Sequence, residues 1–246
     1  MEKVDAEALV RASGLSAEVE IILDQLLPSA RIVVDGDGGT EDSFVSHFGG
    51  VPWLPADEAW PRWDKRGYLE AEIARLEERF RNNPRLTGAR DSAARMRQEI
   101  SADTIPLPFL AQLSLEELSR VAPLPNCPSD GTLAFFCDPS VWGFDPIARG
   151  FCRVLFFPPH TKLRRASAPE DLPKEARYPE RRLSFKREWT LPTRIYTSEI
   201  NLSIWSSEEY NILCQRLMPG VPGKESVHRC GGHPQEIQDE MRLTCQ

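Results

Sequence analysis

TLAFFCDPSVWGFDPIARGFCRVLFFPP, residues 132–159, reads as two strands and a loop. TLAFFCD (132–138) and FCRVLFFPP (151–159) are short, apolar and aromatic, the character of buried strands. DPSVWGFDPIARG between them holds two prolines and two glycines and reads as an irregular connection. The two strands are expected to pair antiparallel across it. Upstream, LPFLAQLS (107–114) is a strand that runs into a helix, because Ser114 and Glu117 stand in the S-x-x-E capping-box spacing. Downstream, residues 160–182 are basic, proline-rich and irregular. LSFKREWTLP (183–192) alternates apolar and charged residues like a half-buried strand. Ser206 and Glu209 repeat the capping-box spacing before the helix EEYNILCQRL.

Farther out, the first 30 residues read as helix. Leu15, Val19, Ile22 and Leu26 fall on one stripe, Pro28 ends it, and RIVV (31–34) follows as a short strand. DGDGGTEDS (35–43) is acidic and glycine-rich but lacks the ligand spacing of a calcium loop. Residues 64–103 are highly charged and nearly free of proline. Leu69, Ile73, Leu76 and Phe80 form one apolar stripe, and Ala93, Met96 and Ile100 a second, with NNP (82–84) between them. This is a helical hairpin. Its nine basic and eight acidic residues almost cancel. It reads as a solvated helix pair laid on the core, with a partner-binding arm as the sharper alternative.

The chain has 246 residues, 41% of them hydrophobic, which is enough to build a sizeable core. A formal net charge of −7 and a pI near 5.3 argue against a general nucleic-acid binder. No apolar run reaches the roughly 18 residues of a membrane span, and the N-terminus lacks the apolar core of a signal peptide. A cytoplasmic protein without nucleic-acid or membrane partners is expected. The six cysteines, 127, 137, 152, 214, 230 and 245, are then expected to be reduced.

HFGGVPWLPADEAWPRW (47–63) combines a Gly-Gly pair with three prolines and three tryptophans. Its glycines permit backbone angles closed to other residues, and the following X-Pro favours extension. HRCGGHP (228–234) repeats the pattern, so the two copies suggest two similar half-domains. The tryptophans either pack as a lid over a sheet or form the wall of a binding groove.

These blocks resemble a family. Gly49-Gly50-Val51-Pro52 with Leu54-Pro55, Trp60-Pro61, Phe109-Leu110-Ala111-Gln112 with Leu118, Gly131-Thr132-Leu133-Ala134-Phe135-Phe136 and Arg153-Val154-Leu155-Phe156 are similar, in order, to the blocks of the YwqG-like family, a bacterial domain of unknown function. Gly232-x-Pro234 with Gln238 and Asp239 resembles its C-terminal block. The resemblance covers most of 44–246 outside the hairpin. It implies one YwqG-like domain over 1–246: an α+β fold with a mixed or antiparallel sheet core. The N-terminal helical segment (1–30) and the inserted hairpin (64–103) are additions to it. Relatives pass directly from the Trp-Pro block to Phe-Leu-Ala-Gln, and they continue beyond the last Gln with strands that this chain lacks after residue 246. The family supplies no established reaction.

His228-x-Cys230-x-x-His233 with Cys245 has ligand types for zinc but not paired ligand spacing, so turn and packing residues are expected and no metal. No local nucleophile motif, P-loop or dinucleotide fingerprint is present, and no cofactor is expected. Arg164-Arg165-Ala166-Ser167 and Arg181-Arg182-Leu183-Ser184 could hold a phosphate or an acidic partner, or be solvated. The function expected is non-enzymatic binding, with a protein partner on the hairpin, and the acidic balance would suit an antidote to a basic toxin. The expected site joins His47, Gly49, Gly50, Trp53, Trp60, Gln112, Gly232, His233 and Gln238. The rival is a hydrolase using a histidine of a Gly-Gly turn.

Overall fold

The computed structural model describes residues 1–37, 44–100, 104–141, 148–204, 206–218 and 228–234. Along the chain come α1 (Lys3–Arg11), α2 (Val19–Asp24), β1 (Leu27–Asp37), β2 (His47–Phe48), β3 (Trp53–Leu54), β4 (Arg62–Trp63), α3 (Lys65–Asn82), α4 (Thr87–Glu99), β5 (Ile105–Pro106), β6 (Phe109–Ser114), α5 (Leu115–Val121), β7 (Thr132–Cys137), β8 (Cys152–Phe157), β9 (Arg164–Arg165), β10 (Arg181–Thr190), β11 (Arg194–Tyr196), β12 (Asn201–Ser203), α6 (Glu208–Leu217) and β13 (Arg229–Gly231). The fold is α+β. Seven strands make one antiparallel sheet in the order β13-β1-β10-β2-β6-β7-β8. No helix among the described residues is long and apolar enough to cross a membrane.

The chain divides into two compact units. The first gathers residues 1–35, 114–130 and 183–246; the second gathers 36–113 and 131–182. β10 belongs to both: Arg181 and Arg182 pair with Phe48 and His47 in the second unit, and the rest of the strand lies in the first.

In the first unit, the helix expected over 1–30 is two helices. Gly14 turns left-handed at φ +87° after Ser13, whose hydroxyl donates to the Val10 carbonyl at 2.7 Å, and this ends α1. The expected stripe still points inward. Leu15, Ile22 and Leu26 are buried beside Trp189, Leu191, Tyr210 and Leu217. The following strand starts at Leu27, earlier than RIVV, and takes Pro28 near its beginning, where a missing N–H is tolerated. α5 starts as its capping box predicts: the Ser114 hydroxyl accepts the Glu117 N–H at 3.2 Å. For α6 the cap is Ser207, not Ser206, and its hydroxyl accepts the Tyr210 N–H.

The second unit has its own core, in which Leu54, Trp63, Leu107, Phe109, Phe136 and Phe157 are buried together. β7 and β8 pair antiparallel from Thr132↔Phe157 to Cys137↔Cys152. β8 is the last strand of the sheet, so among the described residues one edge has no strand beyond it. Val154 and Phe156 are therefore largely exposed, which corrects the expectation that both strands are buried. Register also places Cys137 directly opposite Cys152, Cα atoms 4.1 Å apart, and the two form a disulfide instead of the expected free thiols. Beyond Asp64, which caps α3 by accepting the Gly67 N–H at 2.7 Å, the helices α3 and α4 close on each other through Ile73, Leu76 and Ala93.

Candidate functional site

His47, Gly49, Gly50, Trp53, Trp60 and Gln112 lie together in the second unit, and the fold uses most of their polar atoms. Gln112, fully buried in β6, faces His47 across the ladder. Its Oε1 accepts the Trp53 N–H and its Nε2 donates to the Trp53 carbonyl, both at 2.7 Å. The side chain thus does for the Trp-Pro loop what a neighbouring strand would do. His47 is buried, with Nδ1 2.8 Å from the Val45 carbonyl and Nε2 3.3 Å from the Val51 carbonyl. Gly49 and Gly50 are both left-handed, at φ +64° and +69°. Their N–H groups donate to Leu110 and Tyr178 carbonyls at 2.7 and 2.8 Å, which leaves neither free to cradle an anion. The Trp60 indole donates to the Leu107 carbonyl at 2.8 Å and meets Phe136 edge-on. Trp53 and Trp60 are only half-buried; the tryptophan sealed in the core is Trp63.

Gly232 and His233 lie in the first unit, and Gln238 lies outside the described residues. The second Gly-Gly turn has the backbone of the first, with Gly231 and Gly232 at φ +74° and +72°. The His233 N–H donates to the buried Thr190 hydroxyl at 2.8 Å, and its Nε2 lies 2.7 Å from the Gln25 carbonyl. Each turn is thus followed by a backbone N–H held on a buried polar side chain. Among the described residues no cluster of ligand-type side chains could hold a metal.

Two concave surfaces stand out among the described residues. In the second unit, β3 pairs with β9, Trp53 opposite Arg165 and Leu54 opposite Arg164. The Trp-Pro loop and the Arg-Arg-Ala-Ser segment, separate in sequence, therefore share a small groove of about 270 Å³ lined by Pro55, Trp60 and Arg164–Ser167. Its arginines are engaged: Arg164 donates to the Ala56 carbonyl at 3.0 Å, and Arg165 pairs with Glu180.

In the first unit, β1, β10, α6 and His228 surround a larger cavity of about 900 Å³. Arg31, Lys186, Arg187, Arg216 and His228 line it, with Glu188 the one carboxylate among the described residues. Arg187 is fastened to Glu2 and to the Val121 carbonyl. Lys186 and Arg216 are exposed, with no carboxylate partner among the described residues. Glu188 is buried and takes two arginines, Arg31 at 3.2 Å on Oε1 and Arg229 at 2.7 Å on Oε2. This wall concentrates positive charge, which draws anions into a concave site.

A family model described as a domain of unknown function, DUF1963, matches residues 46–245. The chain belongs to the DUF1963 family. No curated protein matches it.

The DUF1963 match begins one residue before His47 and takes in both Gly-Gly turns. The cavity of this DUF1963 chain escaped sequence reading because its residues come from distant places in the chain: Met1, 31–34, 186–188, 216–217 and 228. Glu188 gave no signal, because it falls on the polar side of the alternation of β10 with Ser184, Lys186 and Thr190.

Proposed function

We propose that this DUF1963 chain is a binding protein that holds an anionic ligand in the basic cavity of its first unit. One observation carries the reading. Four cationic side chains and a histidine line the cavity against one carboxylate among the described residues, in a chain whose formal net charge is −7. A local excess against the global sign is what an anion site requires. Binding is favoured over the hydrolase alternative because His47 and His233 direct ring nitrogens at backbone carbonyls, where a general base would need a free nitrogen toward substrate. The YwqG-like likeness belongs to the same proposal and is supported by the sequence blocks; a cytoplasmic location is proposed with it. Calorimetric titration of the intact protein with inorganic phosphate, pyrophosphate and citrate tests it. Binding of at least one is expected, weakening roughly tenfold or more in Lys186→Glu/Arg216→Glu and with rising salt. If none binds more tightly than about 1 mM, only ~4 kcal/mol, the reading fails.

A further inference from the structure

We infer that the anion held in this cavity is amphipathic, a small anionic head on a hydrocarbon body; the inference rests on the cavity being an anion seat. Size argues first. At about 900 Å³ the cavity is large for a simple anion. A water takes about 30 Å³ of liquid, and a phosphate or acetate only a few times that. Cavities of this size seat ligands with many carbon atoms. A small anion held on the cations would leave most of the space to water.

The walls differ in character. Lys186 on β10 and Arg216 on α6 are exposed and supply charge. β1 supplies a different chemistry: Ile32, Val33 and Val34, apolar residues in a row, also line the cavity. Among the described residues β13 pairs with β1 over Ser29–Arg31, and the Ile32 N–H donates to the His228 carbonyl at 2.8 Å. Val33 and Val34 run on past that pairing, the first half-buried and the second 58% exposed. One exposed valine on a surface is ordinary. An apolar stretch and exposed cations sharing one concave site are not, because a ligand of either pure chemistry uses only part of the wall. A wholly polar anion meets the cations and leaves the valines in water. A neutral hydrocarbon covers the valines, in proportion to their area, but gives the lysine and arginine no counter-charge. An anion with a hydrocarbon body does both. Charge complementarity sets its direction, with the head toward Lys186 and Arg216 and the body along Ile32–Val34. A cation of the same shape would be repelled.

Straight-chain carboxylates test this on the intact protein. Acetate, butyrate, hexanoate and octanoate are titrated calorimetrically, with octanol as the uncharged control. Affinity is expected to rise about tenfold for each pair of methylenes added. Octanoate is expected to bind roughly tenfold or more tighter than octanol. Val34→Ser, at an exposed position, should weaken octanoate several-fold, and Lys186→Glu/Arg216→Glu should weaken it roughly tenfold or more. A flat chain-length series overturns the inference. So does octanol that binds as tightly as octanoate, or unchanged octanoate affinity in either variant once circular dichroism shows it folded. If a variant does not fold, the series and octanol decide alone. Phosphate, pyrophosphate and citrate judge the underlying reading separately. If one of them binds while the series is flat, the cavity stays an anion seat and only its hydrocarbon part is lost. If none of them binds, both fall.

Discussion

Gly14 and Gly49 both take positive φ, +87° and +64°, but they are not equally replaceable. A Cβ on Gly14 would meet nothing within 4 Å, so Gly14→Ala carries only the left-handed backbone penalty of about 1–2 kcal/mol. A Cβ on Gly49 would lie 2.2 Å from the Pro179 carbonyl oxygen, a backbone atom that cannot swing aside. Gly49→Ala is expected to cost clearly more, read as a larger drop in denaturant midpoint at unchanged slope. Equal midpoints for the two variants would show that the first Gly-Gly turn can relax. Gln112→Leu belongs with them. It leaves the Trp53 N–H and carbonyl without their partner, at about 1–3 kcal/mol for each group. These glycines were legible in the sequence because the Gly-Gly-x-Pro pattern encodes a turn, whereas Gln112 entered only through the family resemblance. Where their hydrogen bonds end was not legible. The pattern specifies backbone angles, whereas the acceptors Leu110 and Tyr178 are brought in by tertiary pairing.

Helix starts show the same division at the next scale. Ser114 was legible because one serine stood in the right spacing. Before α6 two serines compete, and spacing alone favours Ser206. The structure selects Ser207, whose extended backbone (φ −123°, ψ 115°) aims its hydroxyl at the Tyr210 N–H. Ser207→Ala should cost about 1 kcal/mol and Ser206→Ala much less, measured by thermal unfolding; the reverse order would move the cap. The hairpin helices were legible from their stripes, but their anchor was not. Lys65, in the first turn of α3, reaches Asp138 just past β7 at 3.0 Å. Burial pushes the Asp138 carboxyl up, but the Ser140 hydroxyl and N–H and the Lys65 ammonium outweigh it and hold it below its ordinary range. A carboxylate lowered in the folded chain stabilises fully above the unfolded value, and that stabilisation is lost as pH falls through the folded value. Asp138→Asn should therefore melt lower near neutrality. Its melting temperature should also fall less than wild type between about pH 5 and pH 2. Parallel pH profiles would remove the Lys65–Asp138 pair from the acid response.

Across the whole molecule, summed charge and local charge point in opposite directions. A count of −7 suggested a basic partner, while folding gathers Arg31, Lys186 and Arg216 from distant segments onto one wall. No local pattern carries that information, since each unit is assembled from separated stretches of chain. The cysteines repeat the lesson. Their even number allowed disulfides, yet six reduced thiols were the expectation, and nothing in a separation of 15 residues marks Cys137 and Cys152 as cross-strand partners. Their environments now predict an order of reactivity. In protein isolated without reductant, iodoacetamide at pH 8 should label Cys127 first. Cys230 should follow more slowly, because burial, with Cys127 adding to it, pushes its thiol up and thins the reactive thiolate. Cys214, buried in α6 with its thiol pushed up to about 12, should label only after unfolding. Cys137 and Cys152 should label only after reduction. Mass spectrometry of the labelled peptides reads all five at once. Early labelling of Cys137 and Cys152 would mean that the β7–β8 edge carries a dithiol, the form a reducing cytoplasm maintains. Protection of this pair in protein taken directly from cells would argue against that compartment.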